Sequence, residues 1–214
     1  MSDSRLSFHF FLFTSPPQAF DLNDWFNAGD VADRLHFRAA SFCMGEANDF
    51  DAWDQGISFF LPNMTWLQPP GYVHQMIDRT WQPNALAFTS PGSTSFSPGS
   101  SSGNAAGKVS DPGLERTFSA QKSDDGKIVV FRYVNSAVTS VNVTVTFAQS
   151  DIAGTVTGTA DVWTLASDDP DAANTPGAPT AISPRKTSIP FKSGAAITVE
   201  PSSYTVVVVP IASL

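Results

Sequence analysis

Few side chains in this sequence can move protons or hold ions, and their spacing limits what they can do. Cutting a glycosidic bond takes two carboxyl groups about 5–10 Å apart across the bond. The chain has three Glu: Glu46, Glu115 and Glu200. Glu46 follows a predicted helix rather than a strand end. Glu115 follows a Gly/Ser/Pro stretch, and Glu200 lies in a strand-rich region, so no pair emerges. Asp49, Asp51 and Asp54 in "NDFDAWDQG" have the composition of a calcium loop. Trp53 and Asp54, however, stand where that loop needs an oxygen ligand and then Gly. His36 and His74 fall on predicted helices, without ligand spacing to another His or Cys. "GNAAGKVS" (103–110) is one residue short of a phosphate loop and has Val109 where Ser or Thr must meet magnesium. No G-x-S-x-G supports an esterase nucleophile. These residues therefore supply no catalytic set, no metal site and no cofactor site.

The remaining candidate is "NMTWLQPPGYVHQMIDRTWQPNAL" (63–86). With two Trp, three Gln, three Pro and a His in 24 residues, it is a candidate binding site, domain junction or packed corner. The same stretch holds the sequon Asn63-Met64-Thr65, and a second, Asn142-Val143-Thr144, lies downstream.

Composition limits the partners. The chain is 42% hydrophobic and 15% charged, with net charge −8. That composition is globular. The negative charge, with no cluster of Lys and Arg, argues against nucleic acid and anionic membrane surfaces as partners. Cys43 is the single cysteine, so neither an internal disulfide nor a cysteine zinc site is available. Arg5 precedes the apolar run Leu6–Phe13, but His9 interrupts that run and no small-x-small cleavage site follows. A signal peptide is not supported there. No run reaches the roughly 18 apolar residues of a membrane helix. The sequons lean towards an extracellular protein.

The elements that must position these residues fall into two regions. In the first, Ala28–Met44 has helical spacing, with Val31, Leu35, Ala39 and Phe42 on one face and Gly45 at its end. "GISFFLP" (56–62) is a short apolar run ended by Pro, the pattern of a buried parallel strand. Pro69-Pro70 can open a helix over Gly71–Arg79. Residues 90–113 are a Gly/Ser/Pro-rich linker or loop. The second region, 114–214, is all-β. Its expected strands are 127–135, 138–147, 159–166, 195–200 and 203–211, with turns at Asp124-Asp125-Gly126 and Asn135-Ser136-Ala137.

Several segments, in order, resemble glycoside hydrolase family 51, the α-L-arabinofuranosidases. They are "RAASFCMGEAN" (38–48), "QGISFFLPN" (55–63), Trp66-Leu67-Gln68 as a W-x-Q loop, "YVHQMI" (72–77), "ANTPGAPTAISPRKTSI" (173–189) and "VEPSSYTVVVV" (199–209). The resemblance covers residues 38 to 214. It implies the terminal segment of a (β/α)8 barrel (1–89), the linker 90–113 and a C-terminal, jelly-roll-like β-sandwich (114–214). In that family the Gln after the last barrel strand hydrogen-bonds arabinose, which implies the role for Gln68 and a wall for Trp66. The family acts with retention, through two Glu on earlier barrel strands. Residues 1–37 contain no Glu, so both are expected outside this chain. The chain would then be a fragment of an enzyme acting on arabinose-bearing plant or algal polysaccharide, inactive by itself and needing no cofactor. The alternatives are a non-catalytic carbohydrate-binding module and a barrel-plus-sandwich glycosidase of another sugar specificity. The oligomeric state is open.

Overall fold

"IVVFRYVN" is apolar almost without interruption, and a strand of that kind needs cover on both faces. It forms a central strand, as expected from the sequence. The computed structural model describes residues 44–46, 57–87, 109–111, 114–147, 156–169 and 172–211. Among them are β1 (Met44–Glu46), β2 (Ser58–Leu61), β3 (Met64–Leu67), helix α1 (Pro69–Thr80), β4 (Asn84–Ala85), β5 (Val109–Asp111), β6 (Leu114–Lys122), β7 (Ile128–Asn135), β8 (Val141–Thr144), β9 (Thr157–Ala166), β10 (Arg185–Lys192), β11 (Ala196–Val199) and β12 (Ser203–Pro210). The protein is thus mostly β-sheet, with one helix among the described residues.

A seven-stranded sheet runs β10-β9-β12-β7-β6-β4, with β5 also on β6. The neighbours β7 and β12 pair antiparallel over their full length. Side chains alternate between the two faces of such a sheet. On one face Val130, Val134, Leu165, Tyr204 and Val206 form a core with Tyr72, Val73, Met76 and Ile77 of α1. On the other, Val129, Phe131, Val162, Val207 and Val209 pack with Ile197 of β11, which pairs with β8 in a separate two-stranded sheet. In β8, Val141 and Val143 are half-buried while Asn142 and Thr144 are exposed, the alternation expected from the sequence over a shorter span. Gly126 takes a positive φ of 67° in the turn before β7, which suits a residue without Cβ.

The helix follows from its sequence. Residues 72, 73, 76 and 77 lie on one face at helical spacing, and each buried side chain contributes about 1.5–3 kcal/mol of gross burial energy. Pro69 and Pro70 occupy the first two positions, where a missing N–H costs nothing. The helix starts two residues earlier than the sequence suggests, with Gln68 as N-cap. It ends at Thr80 because Pro83 disfavours the helical region for Gln82.

Three findings differ from the sequence-based expectation. Met44–Glu46 is a strand, parallel to β2, and not the end of a helix over Ala28–Met44. Its ladder partners come from β2, which local spacing does not encode, and Gly45 is a poor helix residue. Residues 28–43 lie outside the described residues, as do the Asp49–Asp54 segment, His36, Cys43 and the run Leu6–Phe13. The W-x-Q segment is not a loop: Pro62-Asn63 turns the chain, and β3 returns antiparallel to β2. Finally, β4 and β5, from the first region and the linker, both pair with β6.

Candidate functional site

Trp66 and Gln68 are brought together at the end of β3 and the start of α1, against the connection from β9 to β10. Phe59 stands opposite Trp66 in the register of β2 and β3, and the rings stack with centroids 6.0 Å apart. The Trp66 indole N–H donates to the Asn174 carbonyl at 3.0 Å. Gln68 Nε2 donates to the same carbonyl at 2.7 Å, while the Asn174 backbone N–H donates to Gln68 Oε1 at 3.0 Å. A side-chain amide thus pairs with both main-chain groups, N–H and C=O, of one residue. Gln68 is 3% exposed and Trp66 5%.

Asn174 is itself 3% exposed, and its side chain is fully used. Nδ2 donates to Leu67 O at 2.8 Å and to Ile182 O at 2.9 Å, and Oδ1 accepts from Ile182 N at 2.8 Å. Buried polar groups are tolerable on those terms. The Gln68 main chain joins in, since its N–H donates to Ile57 O at 2.9 Å. The first turn of α1 presses against the same residue: a Cβ on Gly71 would lie 2.5 Å from Ile57 O. Only glycine permits that approach.

The other end of α1 is held by Arg132. Its guanidinium, fully buried on β7, donates to Thr80 O at 3.0 Å and to Gln121 Oε1 at 2.7 Å. A cation at a helix C-terminus meets the negative end of the helix dipole. Burial lowers the Arg132 pKa, which the adjacent Tyr204 opposes, and burial raises that of the Tyr204 phenol. His74, half-buried on α1, is lowered by desolvation.

The remaining candidates are scattered. Glu46 is the last residue of β1, opposite Phe60 in register, so it stands at a strand end and not after a helix as the sequence suggests, and Glu115 is on β6. Glu200 forms a surface ion pair with Arg185 at 2.6 Å, the kind worth little to stability. Asn63 is exposed at the β2–β3 turn. Asn142 is exposed mid-strand, its Oδ1 accepting from Thr198. Among the described residues no group of His, Cys, Asp and Glu is disposed to hold a metal, and no helix is long and apolar enough to cross a membrane.

Comparison with known proteins gives a fold. No family model matches the sequence, and no curated protein does. Solved structures do match. An arabinose-bound α-L-arabinofuranosidase of glycoside hydrolase family 51 matches with a TM-score of 0.60 and 14% identity, over 79% of this chain and 23% of that one. The chain shares the fold of part of these enzymes. The α-L-arabinofuranosidase from Thermotoga maritima, in its arabinose complex, matches at TM-score 0.53 and 18% identity, over 74% of this chain and 32% of its own. The family 51 enzyme from Thermotoga petrophila RKU-1 matches at 0.50 and 16%, over 72% and 31%. The chain therefore spans a third or less of the length of each.

Asn174 and Arg132 did not emerge as candidates from the sequence. Asn174 heads the segment 174–184 inside the family-like stretch 173–189, an available but unspecific pointer. Arg132 interrupts the apolar run of β7, and a charge in a central strand must be met by acceptors.

Proposed function

We propose that this chain is the C-terminal part of a retaining α-L-arabinofuranosidase-like glycoside hydrolase, acting on arabinose-bearing polysaccharide. In this reading residues 1–89 are the closing segment of a (β/α)8 barrel, 90–113 a linker and 114–214 a jelly-roll-like β-sandwich. The carrying observation is the fold shared with the arabinose-bound enzyme at a TM-score of 0.60. The order parallel strand pair, hairpin, helix and then β-rich region supports it. Both catalytic Glu are supplied by barrel strands outside residues 1–214. In this reading Trp66 and Gln68, both buried within this chain, back the arabinose subsite beyond the last strand, the end at which barrel enzymes build their sites. Gln68 keeps one N–H and one lone pair beyond those given to Asn174.

Hydrolysis of p-nitrophenyl α-L-arabinofuranoside tests the reading. The 214-residue chain is expected to show no turnover. A polypeptide extended by the barrel strands is expected to release arabinose with retention, followed by NMR of the anomeric proton. Turnover by the 214-residue chain, or an extended enzyme selective for another sugar, would overturn it. The sequons, whose Asn63 and Asn142 are both exposed, favour secretion in this reading. A second reading, a carbohydrate-binding module, is favoured by Trp81, which is 45% exposed. Retention of the chain on insoluble arabinan, lost in Trp81→Ala, is its expected mark.

A further inference from the structure

Gln68 is held by the main-chain N–H and carbonyl of a residue from a distant part of the chain, and that contact determines which atoms it can offer. We propose that Asn174 is the positioning residue of the subsite wall, fixing the amide orientation of Gln68 and the setting of Trp66. This rests on the reading of those two residues as that wall. The Asn174 main chain and side chain have different tasks. The main chain engages the wall: its carbonyl accepts from Gln68 Nε2 and Trp66 Nε1, and its N–H donates to Gln68 Oε1. The side chain holds those main-chain groups in place, closing the loop onto both backbone groups of Ile182 and reaching Leu67 O on β3.

Reversing the Gln68 amide would set Nε2 against an N–H and Oε1 against a carbonyl. Two hydrogen bonds would become two repulsions in a buried place, where unmet polar groups are most costly. One orientation of the buried Gln68 amide therefore persists, and its spare N–H and lone pair keep fixed directions. The Trp66 indole N–H is committed to Asn174, so the ring serves this wall as an apolar surface. The β-rich region thus sets the geometry of a wall built on β3 and α1.

The test uses the 15N-labelled 214-residue chain. Hydrogen exchange is read at the Trp66 indole N–H and the Gln68 Nε2 protons, each as a ratio to the backbone amide of Val130 in β7. In Asn174→Ala the ratio is expected to show at least tenfold faster relative exchange at both groups. An unchanged ratio overturns the proposal, whether the clamp persists or the whole fold loosens together. Asn174→Asp supplies a second readout: when its carboxyl is protonated it regains a donor for Leu67 O or Ile182 O. Relative protection is expected to recover as pH falls, and a ratio without pH dependence counts against the proposal. L-arabinose titration of the polypeptide extended by the barrel strands, which completes the subsite, then separates the two levels. Shifts at Gln68 Nε2 in the wild type, weakened at least tenfold in Asn174→Ala, support both. No shift in the wild type overturns the subsite reading, and the exchange ratio alone then decides the role of Asn174.

Discussion

Replacing Arg132 by Met keeps the apolar stem of the side chain, ends near the Nε position and removes its five donors. Thr80 O then loses its guanidinium donor, and a buried acceptor left unmade costs about 1–3 kcal/mol. Loss of the cation at the helix C-terminus adds about 0.3–2 kcal/mol. Gln121 Oε1 keeps a donor, the Gln82 N–H at 3.3 Å, so that side of the network costs less. Against these stands relief from burying a guanidinium, a term large enough in some proteins to make the substitution stabilising. That gain needs the whole polar network replaced, and here only the donor goes. The net expectation is a loss of about 2–4 kcal/mol, or roughly 4–16 °C in melting midpoint at about 2–4 °C per kcal/mol. Thermal and urea unfolding followed by far-UV circular dichroism measure it. Arg132→Lys, which keeps charge without the fork, should fall between wild type and Met. A midpoint unchanged or raised in Arg132→Met would refute the view that this network fastens α1 to the sheet.

Gly71→Ala should destabilise although alanine is the better helix former by about 1 kcal/mol. Its Cβ would meet Ile57 O at 2.5 Å and Ile57 Cγ2 at 2.7 Å, and a backbone atom cannot swing aside, so overpacking of about 1–3 kcal/mol should win. A raised denaturation midpoint would contradict this. For His74 the folded-state pKa lies below the ordinary value because burial disfavours the imidazolium. The unfolded chain then binds the proton more tightly, so stability should fall as pH drops from about 6.5 through the lowered folded value, and be level above that window. Denaturant midpoints from pH 7.5 to 4.5 test it: the slope in this window should shrink in His74→Phe, and an identical slope would exclude His74 as its source.

The sequence was informative where burial is two-sided or alternating. β7 and β12 stand out as predominantly apolar runs, β8 as an alternation, and the turn before β7 by Asp124-Asp125-Gly126. It was uninformative for β10, whose first four residues are all exposed and whose Pro190 is tolerated because the strand lies at the sheet edge. Such a strand is made by its neighbour and not by its own pattern. β1 was missed for a related reason: its partner, β2, lies more than ten residues away and leaves no local trace. Trp66 and Gln68 were singled out through the family resemblance, but Asn174, 106 residues from Gln68, was not, because main-chain groups have no residue-type signature.

The two polar networks hold α1 in different ways from its apolar face. Contacts between Tyr72, Val73, Met76 or Ile77 and the valines of β7 and β12 are nondirectional, so alone they permit the helix to slide or roll on the sheet at small cost. Hydrogen bonds have preferred angles. Asn174 meets the residues at the helix N-terminus and Arg132 meets its last carbonyl, about 18 Å apart for a helix of twelve residues. Two fixed points that far apart define both the position and the tilt of a rod. Because α1 continues from β3 through Gln68, fixing the helix also fixes the hairpin that carries Trp66. The β-rich region therefore sets the placement of hairpin and helix, and loosening either network should disturb them before the sheet itself gives way.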